Sequence, residues 1–458
     1  MEPQDPPRRS SLRTLAVGLA AIAVPVLLVL AVVGINRLIQ NLRAQTLLEE
    51  GARRHAARDY AGAIAAYTEA IALRDDDKKA FGARAFARRA LGDREGAIAD
   101  FGEALRIDPR DVLLHLERGA LRDARRDVEG AIADYDEAIK LDPRSATAWH
   151  LRGIAKERKH DTDGALADLD EAIRLAPSHA SNYTSRGTVH SARHEYDLAI
   201  KDFDMALRLK PNSVDALARR GLAKERAGDG AAALVDTDNA VKLGPKDPLA
   251  LTLRGLVEES HGSVDAAITD YTTALECDPH HVAAFEYRAF ARLRLGDVER
   301  AIADYDAALR EPGSHSSARR SRGIAKAMSG DKTGALLDLA AAHDLDAKDA
   351  YVALWLSGLG GTRDLLEGLA GGKDWISNVV RFYAGKATWD ELVAEASRGK
   401  TEKEKSERLC EAHAFAGLQA ERDGDVPRAK TSYEACVATG VTNYWEYVWA
   451  TNRLRELK

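Results

Sequence analysis

The chain has 458 residues, 30% charged and 45% apolar, with a formal net charge of −6. That balance excludes a chain too polar to fold and offers no basic excess to attract nucleic acid. Its three cysteines, Cys277, Cys410 and Cys436, are too dispersed for a zinc site, and sparse proline with abundant Ala, Leu, Arg, Glu and Asp favours helix throughout.

Residues 1–13 form a short N-terminal tail. Thr14 to Ile35 then run 22 positions without a charge; as a helix this spans about 33 Å, enough for the hydrocarbon core of a bilayer. Pro25 in its middle is tolerated in membrane helices. Residues 14–36 are therefore expected to be an uncleaved transmembrane signal anchor. A cleaved signal peptide is the alternative, but its apolar core would be only roughly 7–15 residues. No N-terminal cysteine is present to carry a lipid. Arg8-Arg9 lacks the large apolar residue of a twin-arginine signal at Ser11 and reads as flanking charge. Arg8, Arg9 and Arg13 before the run nearly balance Arg37, Arg43, Arg53 and Arg54 after it, so orientation stays open.

From Ala44 to Asp349 the sequence repeats with a period of 34 residues, nine units without an insertion or deletion. Numbering each unit 1 to 34, positions 20 (Ala63 to Ala335) and 27 (Ala70 to Ala342) are Ala in all nine. Position 8 is Gly or Ala, position 24 is large in all but Thr237, and position 32 is Pro in six. Small residues at 8 and 20 let two antiparallel helices approach, with large residues at 4 and 24 filling the space beside them. Gly and Asp near 15 and 16 make the turn between the helices, and Pro at 32 stops the second helix. One hairpin cannot bury its apolar face alone, so neighbours must stack. This pattern resembles the tetratricopeptide-repeat (TPR) family. The resemblance implies an all-α solenoid, a right-handed superhelix of helical hairpins whose concave groove is lined by the first helix of each repeat.

Position 7 is Arg in eight successive units (Arg84, Arg118, Arg152, Arg186, Arg220, Arg254, Arg288, Arg322). Position 23 is Asp in the same eight (Asp100, Asp134, Asp168, Asp202, Asp236, Asp270, Asp304, Asp338). The first unit has Glu50 and Ala66 instead, so the two residues are present or absent together. A charged binding strip would not need eight identical copies with paired absence. The ladder is expected to be structural, an ion pair between helices, either within a repeat or with the preceding one.

After 349 the register fails. Residues 350–409 are expected to be an irregular helical segment and 410–458 a final TPR-like hairpin plus a capping helix, Tyr444 to Leu457. In that hairpin Gly417, Ala429 and Tyr433 take positions 8, 20 and 24, while Cys410 and Cys436 take positions 1 and 27. Antiparallel helices bring those two positions together, so the cysteines either form a disulfide or pack as two buried thiols. The segments Asp374-Trp375, Val380-Arg381-Phe382-Tyr383-Ala384-Gly385 and Cys410-Glu411-Ala412-His413 with Gly417 resemble the C-terminal module of NlpI-type bacterial TPR proteins. That resemblance implies an envelope adaptor that docks hydrolases and proteases, although this chain has no lipid-attachment cysteine.

No enzyme motif stands. Gly371-Gly372-Lys373 lacks both ends of a phosphate loop, and Gly358-Leu359-Gly360-Gly361 follows a helix rather than a strand. His190 and His194 have ligand-like spacing but no third ligand, and His280-His281 falls in a turn. The carboxylate clamp of chaperone-binding TPR proteins resembles nothing at positions 5 and 9 here. Position 9 is instead mostly apolar: Phe86, Ile154, Leu222, Leu256, Phe290 and Ile324 are the candidate groove residues. They either receive an apolar peptide or helix or pack on the next repeat. The expectation is a non-catalytic scaffold for other proteins, without cofactor or metal and without nucleic acid. It would sit in a bacterial inner membrane through 14–36, its repeats in the periplasm. A cytoplasm-facing tether and an enzyme with its site in 350–409 are the alternatives.

Overall fold

The computed structural model describes residues 9–313, 316–361 and 364–457, with side chains from Leu28 onward except residue 29. The regular elements among the described residues are all helices, with no strand. They form two compact units, Met1–Arg193 and His194–Lys458.

Unit 1 begins with a 48-residue helix, Arg9–Ala56. Its described side chains from Leu30 to Arg43 are exposed, and Ala44 is its first buried one. Most of the expected membrane span, 14–36, lies outside the residues whose side chains are described. Among the described residues no helix is long and apolar enough to cross a membrane.

Hairpins follow, each of two helices 11 to 14 residues long. Local chemistry accounts for their ends. The position-16 aspartate caps the second helix by accepting a backbone N–H three residues on, as Asp93 Oδ1 does from Gly96 at 2.9 Å and Asp331 Oδ1 from Gly334 at 2.8 Å. Position 15 is left-handed in each of the nine repeats. Glycine fills it at Gly92, Gly228, Gly262, Gly296 and Gly330, but Arg58, Arg126, His160 and His194 hold φ of 61–65° there. At the far end the second helix stops at position 30 in every repeat but the eighth, where it ends at Ala308, and the next N–H bonds back to the position-27 carbonyl, as Asp108 to Ala104 at 3.0 Å.

The alanines at positions 20 and 27 are buried in all nine repeats. Position-8 glycine is a packing requirement. A Cβ on Gly119 would stand 2.6 Å from Tyr135, on Gly255 2.6 Å from Tyr271, and on Gly221 2.9 Å from the Ala233 carbonyl.

Unit 2 ends in helices Ala350–Gly358, Asp364–Glu367, Trp375–Tyr383, Trp389–Ala396, Glu402–Arg422, Val426–Ala438 and Trp445–Glu456. One continuous core joins them to the eighth and ninth repeats, with the Trp355 ring tilted against Phe415 and edge-on to Trp449, centroids 5.5 and 5.0 Å apart. The helix carrying Cys410 starts eight residues earlier than the repeat pattern, at Glu402. Thr401 caps it there by accepting the Glu404 N–H.

Candidate functional site

In each unit the candidate site is the face built by the first helices of that unit's own repeats. Behind it stands the ladder. In unit 1, Arg84 Nη2 donates to Asp100 Oδ1 at 2.7 Å, Arg118 Nη2 to Asp134 Oδ1 at 2.5 Å and Arg152 Nη2 to Asp168 Oδ1 at 2.7 Å. In unit 2 the pairs are Arg220–Asp236, Arg254–Asp270 and Arg288–Asp304 at 2.7 Å, and Arg322–Asp338 at 2.5 Å. Most are two-pronged, the Nε donating to the second carboxylate oxygen, which fixes the angle between the helices. Arg186 belongs to unit 1 and Asp202 to unit 2. In the first repeat Glu50 pairs with Arg54 instead, at 2.6 Å.

Each carboxylate is buried. Burial pushes Asp134 and Asp338 up, but hydrogen bonds from His115 and Arg118, and from Arg322 and Lys326, hold both below the usual carboxylate range. The hydrogen bonds to their aspartates raise Arg152, Arg220 and Arg322.

Two further sets of residues complete the ladder, and reasoning from position 7 and position 23 alone misses them. Position 11 supplies a second cation to the same carboxylate: Arg88, Arg122, Lys156, Lys224, Arg292 and Lys326 reach their aspartates at 2.6–2.8 Å. Position 25 of the preceding repeat accepts the free Nη1 of the position-7 arginine. Arg152 meets Asp136 at 2.6 Å, Arg186 meets Asp170 at 2.6 Å, Arg220 meets Asp204 at 2.7 Å and Arg322 meets Asp306 at 2.7 Å. Thr68 and Thr272 take that place for Arg84 and Arg288, at 3.1 and 3.0 Å. Arg84, Arg152, Arg220, Arg288 and Arg322 therefore each hold their own hairpin together and tie it to its neighbour. The sequence carried the signal: Asp recurs at position 25 in five repeats and Lys or Arg at position 11 in seven.

The seventh repeat breaks the pattern. Glu258 occupies position 11, where its Oε2 is buried without a hydrogen-bond partner. Burial and the nearby Asp270 charge raise its carboxyl.

At position 9, Phe86, Ile154, Leu222, Leu256 and Phe290 are half-buried and Ile324 is buried. Phe86 meets Phe101 edge-on, ring centroids 5.2 Å apart. At the C-terminal end of unit 2 the chain covers its own groove. Trp445 lies 5.0 Å from Phe290 and 6.5 Å from Tyr305, Asn452 Nδ2 donates to the Leu293 carbonyl at 3.3 Å, and Arg294 reaches Thr442 at 3.4 Å. The expected capping helix therefore lies on the groove face of the eighth and ninth repeats as well as against the final hairpin.

The Cys410 and Cys436 sulfurs stand 3.2 Å apart, both fully buried, as two thiols in contact. Their mutual hydrogen bond lowers the Cys410 thiol and raises that of Cys436. Cys277 is exposed. His194 Nδ1 bonds the Tyr196 hydroxyl at 2.7 Å and His280 Nδ1 approaches Glu311 at 2.8 Å. Among the described residues no group of three metal-ligating side chains converges.

A TPR repeat family model matches residues 125–160, and a tetratricopeptide repeat model matches 184–248, 226–282 and 288–350. No curated protein sequence matches the chain. Among solved structures, a tetratricopeptide repeat protein from Parabacteroides merdae is 19% identical, over 54% of this chain and 97% of its own, with a TM-score of 0.43. A thermophilic TPR protein of Thermus thermophilus is 19% identical over 40% of this chain and 100% of its own, TM-score 0.38. YrrB, described as a TPR protein with an unusual peptide-binding site, is 22% identical over 40% of this chain and 95% of its own, TM-score 0.31. No catalytic family is indicated. The 34-residue period and the helical hairpins agree with the family models, and residues 125–160, 184–282 and 288–350 match tetratricopeptide repeats.

Proposed function

We propose that the chain is a non-catalytic, membrane-anchored scaffold that receives an apolar peptide or helix of a partner protein on the first helices of its repeats. The observation that carries this reading is the half-buried apolar side chain recurring at position 9, Phe86 and Ile154 in unit 1 and Leu222 and Leu256 in unit 2. An amphipathic partner helix could lay its apolar face there. Leu222→Asp combined with Leu256→Asp should abolish capture of crosslinked partners from membranes while the helical signal survives. Capture that persists with the fold intact moves binding to another surface.

The anchor rests on residues 14–36. Its support is the uncharged run itself together with Leu28, Leu30, Val32, Val33 and Ile35, all 57–63% exposed on a helix that offers them no partner. A bilayer would cover such a surface on all sides. The reading places the anchor in a bacterial inner membrane with the repeats in the periplasm, docking envelope hydrolases or assembly factors, as the resemblance of 374–385 and 410–417 implies. A phosphatase reporter fused after residue 458 tests it: activity supports a periplasmic body, and silence with a cytoplasmic reporter active in its place makes the chain a cytoplasm-facing tether.

A further inference from the structure

A cavity of about 270 Å³ opens where the first helix of the ninth repeat meets the C-terminal helices. Tyr351, Trp355, Tyr444 and Trp445 line it, together with two carboxyls, Glu411 and Glu446. Both acids are nearly inaccessible, 5% and 4% exposed. Their situations differ. Glu411 Oε1 accepts the Tyr351 hydroxyl at 3.1 Å and its Oε2 accepts Trp375 Nε1 at 2.7 Å, so both oxygens are satisfied without a proton.

Glu446 has no such support. Among the described residues lining the cavity, no side chain donates a hydrogen bond to it. The cation in the cavity wall, Arg320, gives its guanidinium to Asp349 at 2.8 Å. Asp349 thus holds the guanidinium that is also the cation near Glu446. Burial raises both Glu411 and Glu446 above the ordinary carboxyl range. A buried acid whose neighbouring cation already serves another carboxylate is expensive, and what relieves it is a cation that brings its own hydrogen-bond donors. Aromatic faces add attraction for a cation and accept an aliphatic stem.

We propose that this cavity binds a primary alkylammonium group, the head of a lysine side chain or of a free amine, with Glu446 as its carboxylate and the aromatic side chains around its stem. A primary ammonium has three donors to offer Glu446, whereas a quaternary one has none. The cavity takes in Ile324 at position 9 of the ninth repeat, but none of Phe86, Ile154, Leu222 and Leu256, on which the proposed function rests, lines it.

The test uses the full chain in detergent, with n-butylammonium as probe followed by tryptophan fluorescence and calorimetry. Saturable binding is expected, at least tenfold tighter than that of n-butanol or tetramethylammonium. These comparisons need no variant. Glu446→Gln keeps the shape and removes the charge; it should weaken butylammonium at least tenfold with an unchanged helical signal. Glu411→Gln should weaken it less. Absence of saturable butylammonium binding overturns the proposal, as does n-butanol or tetramethylammonium binding equally well, or unchanged affinity in Glu446→Gln. Nα-acetyl-lysine amide separates the sources: tighter binding than butylammonium assigns a lysine of a polypeptide, and weaker binding assigns a free amine.

Discussion

Breaking one rung of the ladder should cost more than an exposed salt bridge and less than a fully buried one. In the sixth repeat Asp236 is 5% exposed and accepts Arg220 Nη2, Arg220 Nε and Lys224 Nζ, each at 2.7 Å. Arg220 and Lys224 keep 19% and 20% of their side-chain surface in water, and Arg220 retains Asp204. Removing one member of a buried pair costs roughly 3–5 kcal/mol, an exposed one about 1 or less. Partial rehydration of the two cations places Asp236→Ala between them, at about 2–3 kcal/mol. Arg220→Ala should cost a similar amount, because it also cuts the tie to the fifth repeat. The double variant should lose about 1–2 kcal/mol less than the sum, since its two losses share one contact. Stacked repeats need not unfold as one unit, so the loss is best read locally. Native-state hydrogen exchange over Val214–Leu243 measures it. Losses that add to within about 0.5 kcal/mol would refute the coupling.

Three more outcomes are expected. Glu258→Lys restores the cation that position 11 supplies elsewhere and removes a buried unpaired oxygen, so it should stabilise the seventh repeat by about 1–2 kcal/mol in the same exchange measurement; no gain, or a loss, contradicts the account of that site. His160 holds φ of 62° where five other repeats use glycine, and His160→Gly should raise stability by about 1 kcal/mol in chemical denaturation, whereas Gly92→His should lower it. If the repeats face an oxidising compartment, Cys410 and Cys436 should bridge, closing a loop worth roughly 3.5 kcal/mol on the chain-entropy model. Alkylation before any reductant should then label Cys277 alone, and three labelled cysteines would exclude the bridge.

The repeat array was legible because its determinants are local. Positions 8, 20, 24 and 27 meet inside one hairpin, so a 34-residue period displays them directly. The arginine and aspartate of the ladder were legible for the same reason, sixteen residues apart in every copy. Which repeat an arginine serves was not legible, because for Arg84, Arg152, Arg220, Arg254, Arg288 and Arg322 the answer is both. Its Nε and Nη2 face position 23 of its own repeat while Nη1 faces position 25 of the one before. The position-25 aspartates are more exposed than those at position 23, Asp204 at 45% against Asp236 at 5%. In the sequence such a residue looks like ordinary solvated charge on the outer turn of a helix.

The C-terminal end of the site was illegible for the opposite reason. Phe290 and Trp445 are 155 positions apart in the chain, and no periodicity relates them. Read alone, Trp445–Glu456 is a short amphipathic helix suited to capping an array, and Glu446 is an acid in a first turn, where the helix dipole would favour it at the surface. What changes its meaning is where the helix comes to rest. Asn452 binds a carbonyl of the eighth repeat and Trp445 covers Phe290, which turns the N-terminal end of the helix toward Ile324 and Tyr351 and buries Glu446 beside Glu411. A side chain that would cost nothing at the surface becomes one of the more costly groups in the molecule. That cost is set by tertiary docking rather than by local pattern, so the strongest candidate for ligand chemistry here is also the one that repeat arithmetic could not reach.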